Sequence, residues 1–297
     1  RIVLLFCLSL LLAACSSAAH AQLPPTLTGE SPTRLYTPAT PILTHTHTPT
    51  PSRTPTLPPS PTPAPYCRER FGAVIADQFA SETLGYPMTV RLYLPPCYEY
   101  DDHAPQSYPV LYLLHGLNMD ETAWDEIGAD ETADALIASG EIPPLIIVMP
   151  RDRIDDRFGA ALADELIPFI DSHYHTLADR DHRALGGMSR GAGWTAHVGF
   201  QHSDLFGALG MHSLAIFYGD ETKVSRWLDA TPPDLRPRIY IDIGMKDSLV
   251  PSAGWLDAAL TKRNVPHDYL LNPGSHTRAY WAEHLPEYLR WYTAEWK

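Results

Sequence analysis

The sequence predicts an α/β fold with a mainly parallel central sheet and helices on both faces. Three observations predict it. Short continuous apolar runs, as strands buried on both faces require, alternate with segments of helical spacing. The alternation continues in order through residues 66–297, a length that suits one such domain. Between one strand pattern and the next helix pattern stands Gly187-Met188-Ser189-Arg190-Gly191, at a strand end, where such folds carry their reactive groups.

The first strands are expected at 72–80 and 87–94, where Met88-Thr89-Val90-Arg91-Leu92-Tyr93-Leu94 alternates. Val110-Leu111-Tyr112-Leu113-Leu114 and Leu145-Ile146-Ile147-Val148-Met149 are continuous apolar runs, each short enough for a strand. Further strands are expected at 183–187, 207–212, 238–243 and 267–271. Helices are expected at 132–139, at 161–174 and directly after Ser189, then at 252–263 and around 280–292. In the second of these Leu162, Leu166, Ile167 and Ile170 share a face.

The N-terminal segments read differently. In residues 1–15, Arg1 precedes an apolar stretch ending Leu12-Ala13-Ala14, followed by Cys15. This is the pattern of a secretory signal, too short for a membrane-spanning helix. The Cys at the cut site resembles the lipobox of bacterial lipoproteins, whose acylated thiol anchors the chain to a membrane. An ordinary signal cut near Ala19 or Ala21 is the alternative. Residues 16–65 are dominated by Pro and Thr, as in Thr48-Pro49-Thr50-Pro51. They read as a disordered, extended linker that reaches roughly 150 Å at about 3.1 Å per residue. His45 and His47 alternate there, and read as solvated side chains rather than as a metal site.

Charge excludes several classes. Lys and Arg number 22 against 35 Asp and Glu, a net charge of −13. Only Arg1, Arg34, Arg53 and Glu30 fall before residue 66, so all the acidity belongs to the folded part. Nucleic acid is not an expected partner, because phosphate binding rests on clustered Lys and Arg. Four cysteines are too few for a disulfide-dense scaffold. No Gly-X-Y period, sustained heptad or series of long apolar runs is present, which excludes collagen, coiled coil and polytopic membrane protein.

The motif around Ser189 fits G-x-S-x-G. A tight strand-to-helix turn there lifts the hydroxyl clear of the sheet, and small neighbours let the chain bend. A rival reading takes Gly191-Ala192-Gly193-Trp194-Thr195-Ala196 as a dinucleotide-binding G-x-G-x-x-A. It lacks an acidic residue at the end of a following strand about 20 residues on. A serine nucleophile needs a base, and the base an orienting carboxylate, in the chain order Ser, acid, His. The acids available are Asp220, Asp229, Asp234, Asp242, Asp247 and Asp257. Asp247 is favoured because it lies just past a strand, whereas Asp242 lies inside it; capping the next helix is its other use. His276 follows the last strand in Asn272-Pro273-Gly274-Ser275-His276, where a Pro-Gly turn can return the imidazole over the sheet edge. His212, which ends a strand at the same edge, is the chief competitor. His267 starts a strand and His284 lies in a helix. Leu114-His115-Gly116-Leu117 suits an oxyanion hole, with the Leu117 and Arg190 backbone N–H groups as donors. His115 reads as a structural hydrogen-bonder. Neither H-E-x-x-H nor C-x-x-C occurs, so no metal or cofactor is expected.

Together these segments resemble the esterase D family of α/β-hydrolases over most of 71–290. The likeness is carried by Val90-Arg91-Leu92-Tyr93-Leu94-Pro95-Pro96, by Tyr108-Pro109-Val110-Leu111-Tyr112-Leu113-Leu114-His115-Gly116 with Trp124, and by Glu165-Leu166-Ile167-Pro168-Phe169-Ile170. It continues through the serine motif, His202-Ser203-Asp204-Leu205-Phe206-Gly207, and Pro273-Gly274-Ser275-His276 with Trp281. The family includes feruloyl esterases, acetyl xylan esterases, S-formylglutathione hydrolases, enterochelin-type esterases and mycolyltransferases. The resemblance implies Ser189 as nucleophile, His276 as base and Asp247 as its orienter, with an acyl-enzyme and no cofactor. The implied partner is an ester, small or linked to polysaccharide.

His115, Trp124, Met188, His212 and Trp281 are candidates to line the pocket; a buried core position is the alternative for the tryptophans, and packing beneath the pocket is the alternative for His212. Two residues depart from the family pattern. Ser275 stands where Gly is usual, and Arg190 where an apolar residue is frequent. Arg190 either brings positive charge beside the substrate or points into solvent. Cys67 and Cys97 are expected to pair in an oxidising compartment, closing the domain's N-terminal edge. The leading function is a surface-tethered ester hydrolase; an acyltransferase with the same triad and an inactive binding module are the alternatives.

Overall fold

The computed structural model describes residues 68–99 and 106–296. Cys15, the linker 16–65 and Cys67 lie outside the described residues. The strands are β1 (Ala73–Ser81), β2 (Tyr86–Leu94), β3 (Val110–Leu114) and β4 (Ile146–Pro150), then β5 (Arg183–Met188), β6 (Ala208–His212), β7 (Arg238–Gly244) and β8 (Asp268–Asn272). They form one eight-stranded sheet in the order β1-β2-β4-β3-β5-β6-β7-β8. β2 runs antiparallel to β1 and β4. Every other pairing is parallel, so the six strands from β3 onward end at one edge. Each expected strand is present, with its ends within one residue of expectation.

The connecting helices are α1 (Ala129–Ala138), α2 (Phe158–Ala161), α3 (Ile167–His173), α4 (Arg190–Gln201), α5 (Asp220–Ala230), α6 (Val250–Thr261) and α7 (Arg278–Thr293). The single helix expected at 161–174 is divided. A π-helical turn, Leu162–Leu166, joins α2 to α3. Pro168 lacks the N–H that would bond one turn back, and a wider turn absorbs the loss. α5 was not expected. Its polar sequence buries only Val224 and Leu228 among its apolar side chains.

Strand alternation divides the core into two layers. Val110, Tyr112 and Leu114 face the layer with α2 to α6. Leu111 and Leu113 face the layer with α1 and α7. Tyr280, Tyr288 and Tyr292 occupy one face of α7 and reach into a buried polar cluster. Asp242, fully buried in β7, takes hydrogen bonds from Tyr280 Oη (2.6 Å), Tyr288 Oη (2.7 Å) and His212 Nδ1 (2.6 Å). His212 stacks on Tyr288 at 3.7 Å, and its Nε2 lies 2.9 Å from Tyr292 Oη. Burial pushes the Tyr280 and Tyr288 phenols well above their ordinary range, so both remain donors. Charge-assisted bonds of this kind offset the cost of burying the carboxylate.

The Tyr292 hydroxyl fits because β5 and β6 have no side chain beneath it. A Cβ on either Gly186 or Gly210 would lie 1.8 Å from that oxygen. Gly210→Ala is therefore expected to destabilise the protein by about 2–3 kcal/mol or more, since an overpacked core of this kind cannot relax freely. Urea unfolding measures it, and an unchanged midpoint would show that Tyr292 is not locked in place.

Candidate active site

Ser189 occupies the turn between β5 and α4 with φ 56° and ψ −116°, a conformation most residues avoid. Its N–H bonds the His212 carbonyl (2.8 Å), and its carbonyl takes the Gly193 and Ala215 N–H groups (3.1 and 3.3 Å). Glycines make the turn possible. A Cβ on Gly187 would meet the Gly191 carbonyl carbon at 2.5 Å, and one on Gly191 would meet the Leu114 carbonyl oxygen at 2.2 Å.

His276 follows β8 and Asp247 follows β7. Ser189 Oγ lies 2.9 Å from His276 Nε2, and Asp247 Oδ2 lies 2.8 Å from His276 Nδ1. A carboxylate only accepts, so Nδ1 carries the proton and Nε2 is left to accept from the serine hydroxyl. Asp247 is buried, and its Oδ1 takes the Leu249 N–H at 2.9 Å, which fixes the carboxylate at the start of α6. The two loops are joined by the Lys246 N–H donating to the Gly274 carbonyl at 2.9 Å. Below the imidazole, Trp281 presents its ring edge-on at 5.0 Å.

Gly116 lies across from the serine; a Cβ there would be 3.5 Å from Ser189 Cβ. The Leu117 and Arg190 backbone N–H groups beside it have no acceptor among the described residues, and Arg190, as the first residue of α4, has no intrahelical one. His115 supports this loop. Its Nε2 accepts the Asp152 N–H at 2.9 Å, so its Nδ1 is the donor to the Gly116 carbonyl at 2.8 Å. Burial pushes its pKa below the ordinary 6.5, which keeps the ring neutral.

Asp152, two residues past Pro150 at the end of β4, was not singled out from sequence. Its buried Oδ2 takes hydrogen bonds from Arg190 Nε (2.7 Å) and Trp194 Nε1 (2.9 Å). The Arg190 guanidinium packs over the Trp194 and Phe217 rings at 5.6 and 5.2 Å. The reading of Arg190 as a solvent-pointing side chain is thus corrected: it is tied to a buried carboxylate and to aromatic faces. The position of Asp152 at a parallel-strand end was the available signal.

For Trp124, Trp281 and His212 the buried alternative holds, and the pocket expectation for Met188 is corrected. Trp124, Met188, His212 and Trp281 are all buried. Trp124 donates to the Leu114 carbonyl (3.0 Å), Trp281 to Ser213 Oγ (3.2 Å), and His212 belongs to the Asp242 cluster. These three support the site from beneath because each ring nitrogen has a partner inside the core. His115, although mostly buried, borders a cavity of about 180 Å³ with Leu117 and Arg190. A larger cavity of about 630 Å³ opens beside Arg238, Asp268 and Trp291, at the beginnings of β7 and β8, away from these groups. Among the described residues, no three His, Cys, Asp or Glu side chains are placed to hold a metal ion, and no helix is long and apolar enough to cross a membrane. Cys97 is disulfide-bonded.

A serine on a strained strand-to-helix turn, facing an imidazole and a carboxylate at the ends of an eight-stranded, mostly parallel sheet, defines an α/β-hydrolase. The Esterase family model matches residues 81–292, and the chain belongs to that family. It is similar to an endo-1,4-beta-xylanase/feruloyl esterase of Xylanibacter ruminicola, with 32% identity over 215 residues. That match covers 65% of this chain but only 28% of the longer relative. Among solved structures, a ferulic acid esterase superposes with a TM-score of 0.68 at 25% identity, covering 76% of this chain and 99% of that one. An S-formylglutathione hydrolase of Staphylococcus aureus shares the fold, with a TM-score of 0.66 at 21% identity over 76% of this chain and 98% of that one.

The lowered His115 pKa has a testable sign. Below about pH 6.5 the unfolded chain takes up a proton that the folded chain refuses, so this residue's contribution to stability is lost as the pH falls. His115→Gln should lower stability near pH 8 yet flatten its decline between about pH 7 and 5. Urea midpoints across that range check this; parallel slopes in both proteins would remove the assignment.

Proposed function

We propose that the chain is a secreted serine carboxylic ester hydrolase that acts on feruloyl or other acyl esters attached to polysaccharide. The observation that carries this reading is the Ser189–His276–Asp247 chain of hydrogen bonds, 2.9 and 2.8 Å long, on the strained turn. His276 Nε2 takes the proton as Ser189 Oγ attacks the ester carbonyl. The Leu117 and Arg190 N–H groups receive the developing oxyanion, and Asp247 stabilises the imidazolium. The tetrahedral intermediate expels the alcohol with the proton from Nε2. Water, deprotonated by the same imidazole, then cleaves the acyl-enzyme.

The substrate class is supported by the feruloyl esterase named in the Xylanibacter relative and by the ferulic acid esterase structure. Secretion is supported by the signal-like residues 1–15 and by the disulfide at Cys97, a bond that persists in oxidising compartments. On this reading Cys15 carries the lipid anchor and residues 16–65 carry the enzyme outward from the membrane. The domain 66–297 is then the catalytic unit.

Hydrolysis of methyl ferulate and 4-nitrophenyl acetate tests the enzyme. Ser189→Ala should lower kcat by about 10⁵-fold or more, and Asp247→Asn by about 10⁴-fold through the wrong imidazole tautomer. Turnover by Ser189→Ala within tenfold of the unaltered protein would overturn the triad. Activity on the acetate with none on methyl ferulate would overturn the feruloyl assignment.

A further inference from the structure

We propose that the cavity beside Ser189 binds a carboxylate carried by the ester substrate. The proposal rests on the esterase reading above and adds a charge requirement to it. The cavity, about 180 Å³ in volume, is bordered by Leu117 and Asn118 after β3, by Arg151, Arg153 and Ile154 after β4, and by Arg190 of the serine turn. Leu117 and Arg190 also carry the free N–H groups, so a carbonyl seated on Ser189 opens directly into this space.

The charge of the cavity runs against that of the protein. Three guanidinium groups border it within a chain of net charge −13. The carboxylate of Asp152 on the same wall is already taken by Arg190 and Trp194. Arg151 lies 3.5 Å from Glu121 and near enough to Asp120 to help hold that carboxyl's pKa down, but makes no close ion pair with either. Arg153 has no carboxylate partner among the described residues; its guanidinium lies 5.1 Å from the centre of the Tyr86 ring. Arg190 Nη2 is buried with no hydrogen-bond partner. Arg153, the loosely held Arg151 and the spare Nη2 of Arg190 leave donors in the recess that suit a carboxylate, which a guanidinium can bind through two parallel N–H···O bonds.

The wall that carries them is held in one shape. Asp152 Oδ1 takes the Ile154 and Asp155 N–H groups at 2.7 and 3.2 Å. Ile154 sits at φ 62°, a conformation that β-branched residues rarely adopt. The Asp152 carboxylate thus fixes the Arg151–Arg153 turn and clamps Arg190 at the same time. A positive recess already organised before substrate arrives loses little entropy on binding an anion.

The carboxylate can belong to either half of the ester: the free end of a dicarboxylic acyl group, or an acidic sugar on the alcohol side. Two pairs of esters separate them. The acyl pair is mono-4-nitrophenyl adipate and 4-nitrophenyl hexanoate. The alcohol pair is 4-acetoxybenzoate and 4-methylphenyl acetate. For each pair the ratio of kcat/KM, anionic over neutral, is measured in the unaltered protein, in Arg151→Gln/Arg153→Gln, and in the remote exposed control Arg226→Gln. Taking the ratio within each enzyme cancels any general change in activity or folding.

One pair is expected to lose anionic preference by roughly fivefold in the double variant, as two partly exposed charge contacts would give. The control should retain the preference, and added salt should erode it in the unaltered protein. The responding pair identifies the half that carries the charge. Ratios equal in all three enzymes for both pairs would overturn the proposal. Loss of turnover on the neutral esters by the unaltered protein would instead count against the esterase reading itself.

Discussion

Two residues without side chains hold the serine turn against the end of β3. With Gly191 the chain comes within reach of the Leu114 carbonyl, and with Gly187 it doubles back on Gly191. Ser189 is then left at φ 56°, with its N–H spent on His212 and its carbonyl on α4 and the loop after β6. The hydroxyl has no backbone role left and faces the imidazole. Strain at a single residue persists because the parallel pairing of β3, β5 and β6 fixes the backbone on both sides.

Two buried carboxylates brace this edge from opposite layers. Asp242 gathers His212 from β6 and two tyrosines from α7, and so fixes the helix whose Trp281 supports the imidazole. Asp152 gathers Arg190, Trp194 and its own turn, and so fixes the wall opposite. Neither touches the serine. An unpaired buried carboxylate is costly, so each accepts only the arrangement that brings all its donors together. That requirement turns a weakly specified set of loops into a defined recess.

The sheet was legible because every strand after β2 except the edge strand is a run of buried residues, and strand burial leaves its mark on consecutive positions. The triad was legible because each member follows a strand closely: Ser189 β5, Asp247 β7 and His276 β8. α5 was missed because its buried pair, Val224 and Leu228, is too sparse against charged neighbours to show a period. Its N-cap is Gly219, at φ 80°, rather than a side-chain cap. Asp152 was missed for a different reason. Arg151-Asp152-Arg153 reads locally as a solvated loop. Its burial depends on Arg190 and Trp194, 38 and 42 residues away. For the tryptophans and His212 the sequence left pocket and core open, because only their nitrogen partners, which lie within the core, separate the two.

The imidazole is carried by the last strand, at the sheet's outer edge, and reaches across 87 residues to the serine. The chain up to the end of α6 already contains Ser189 and Asp247, but not the imidazole that joins them. The three groups come together only when β8 pairs with β7 and brings the loop after it beside Asp247. A chain in which β8 has not paired with β7 therefore holds the serine and the carboxylate apart from the ring that links them.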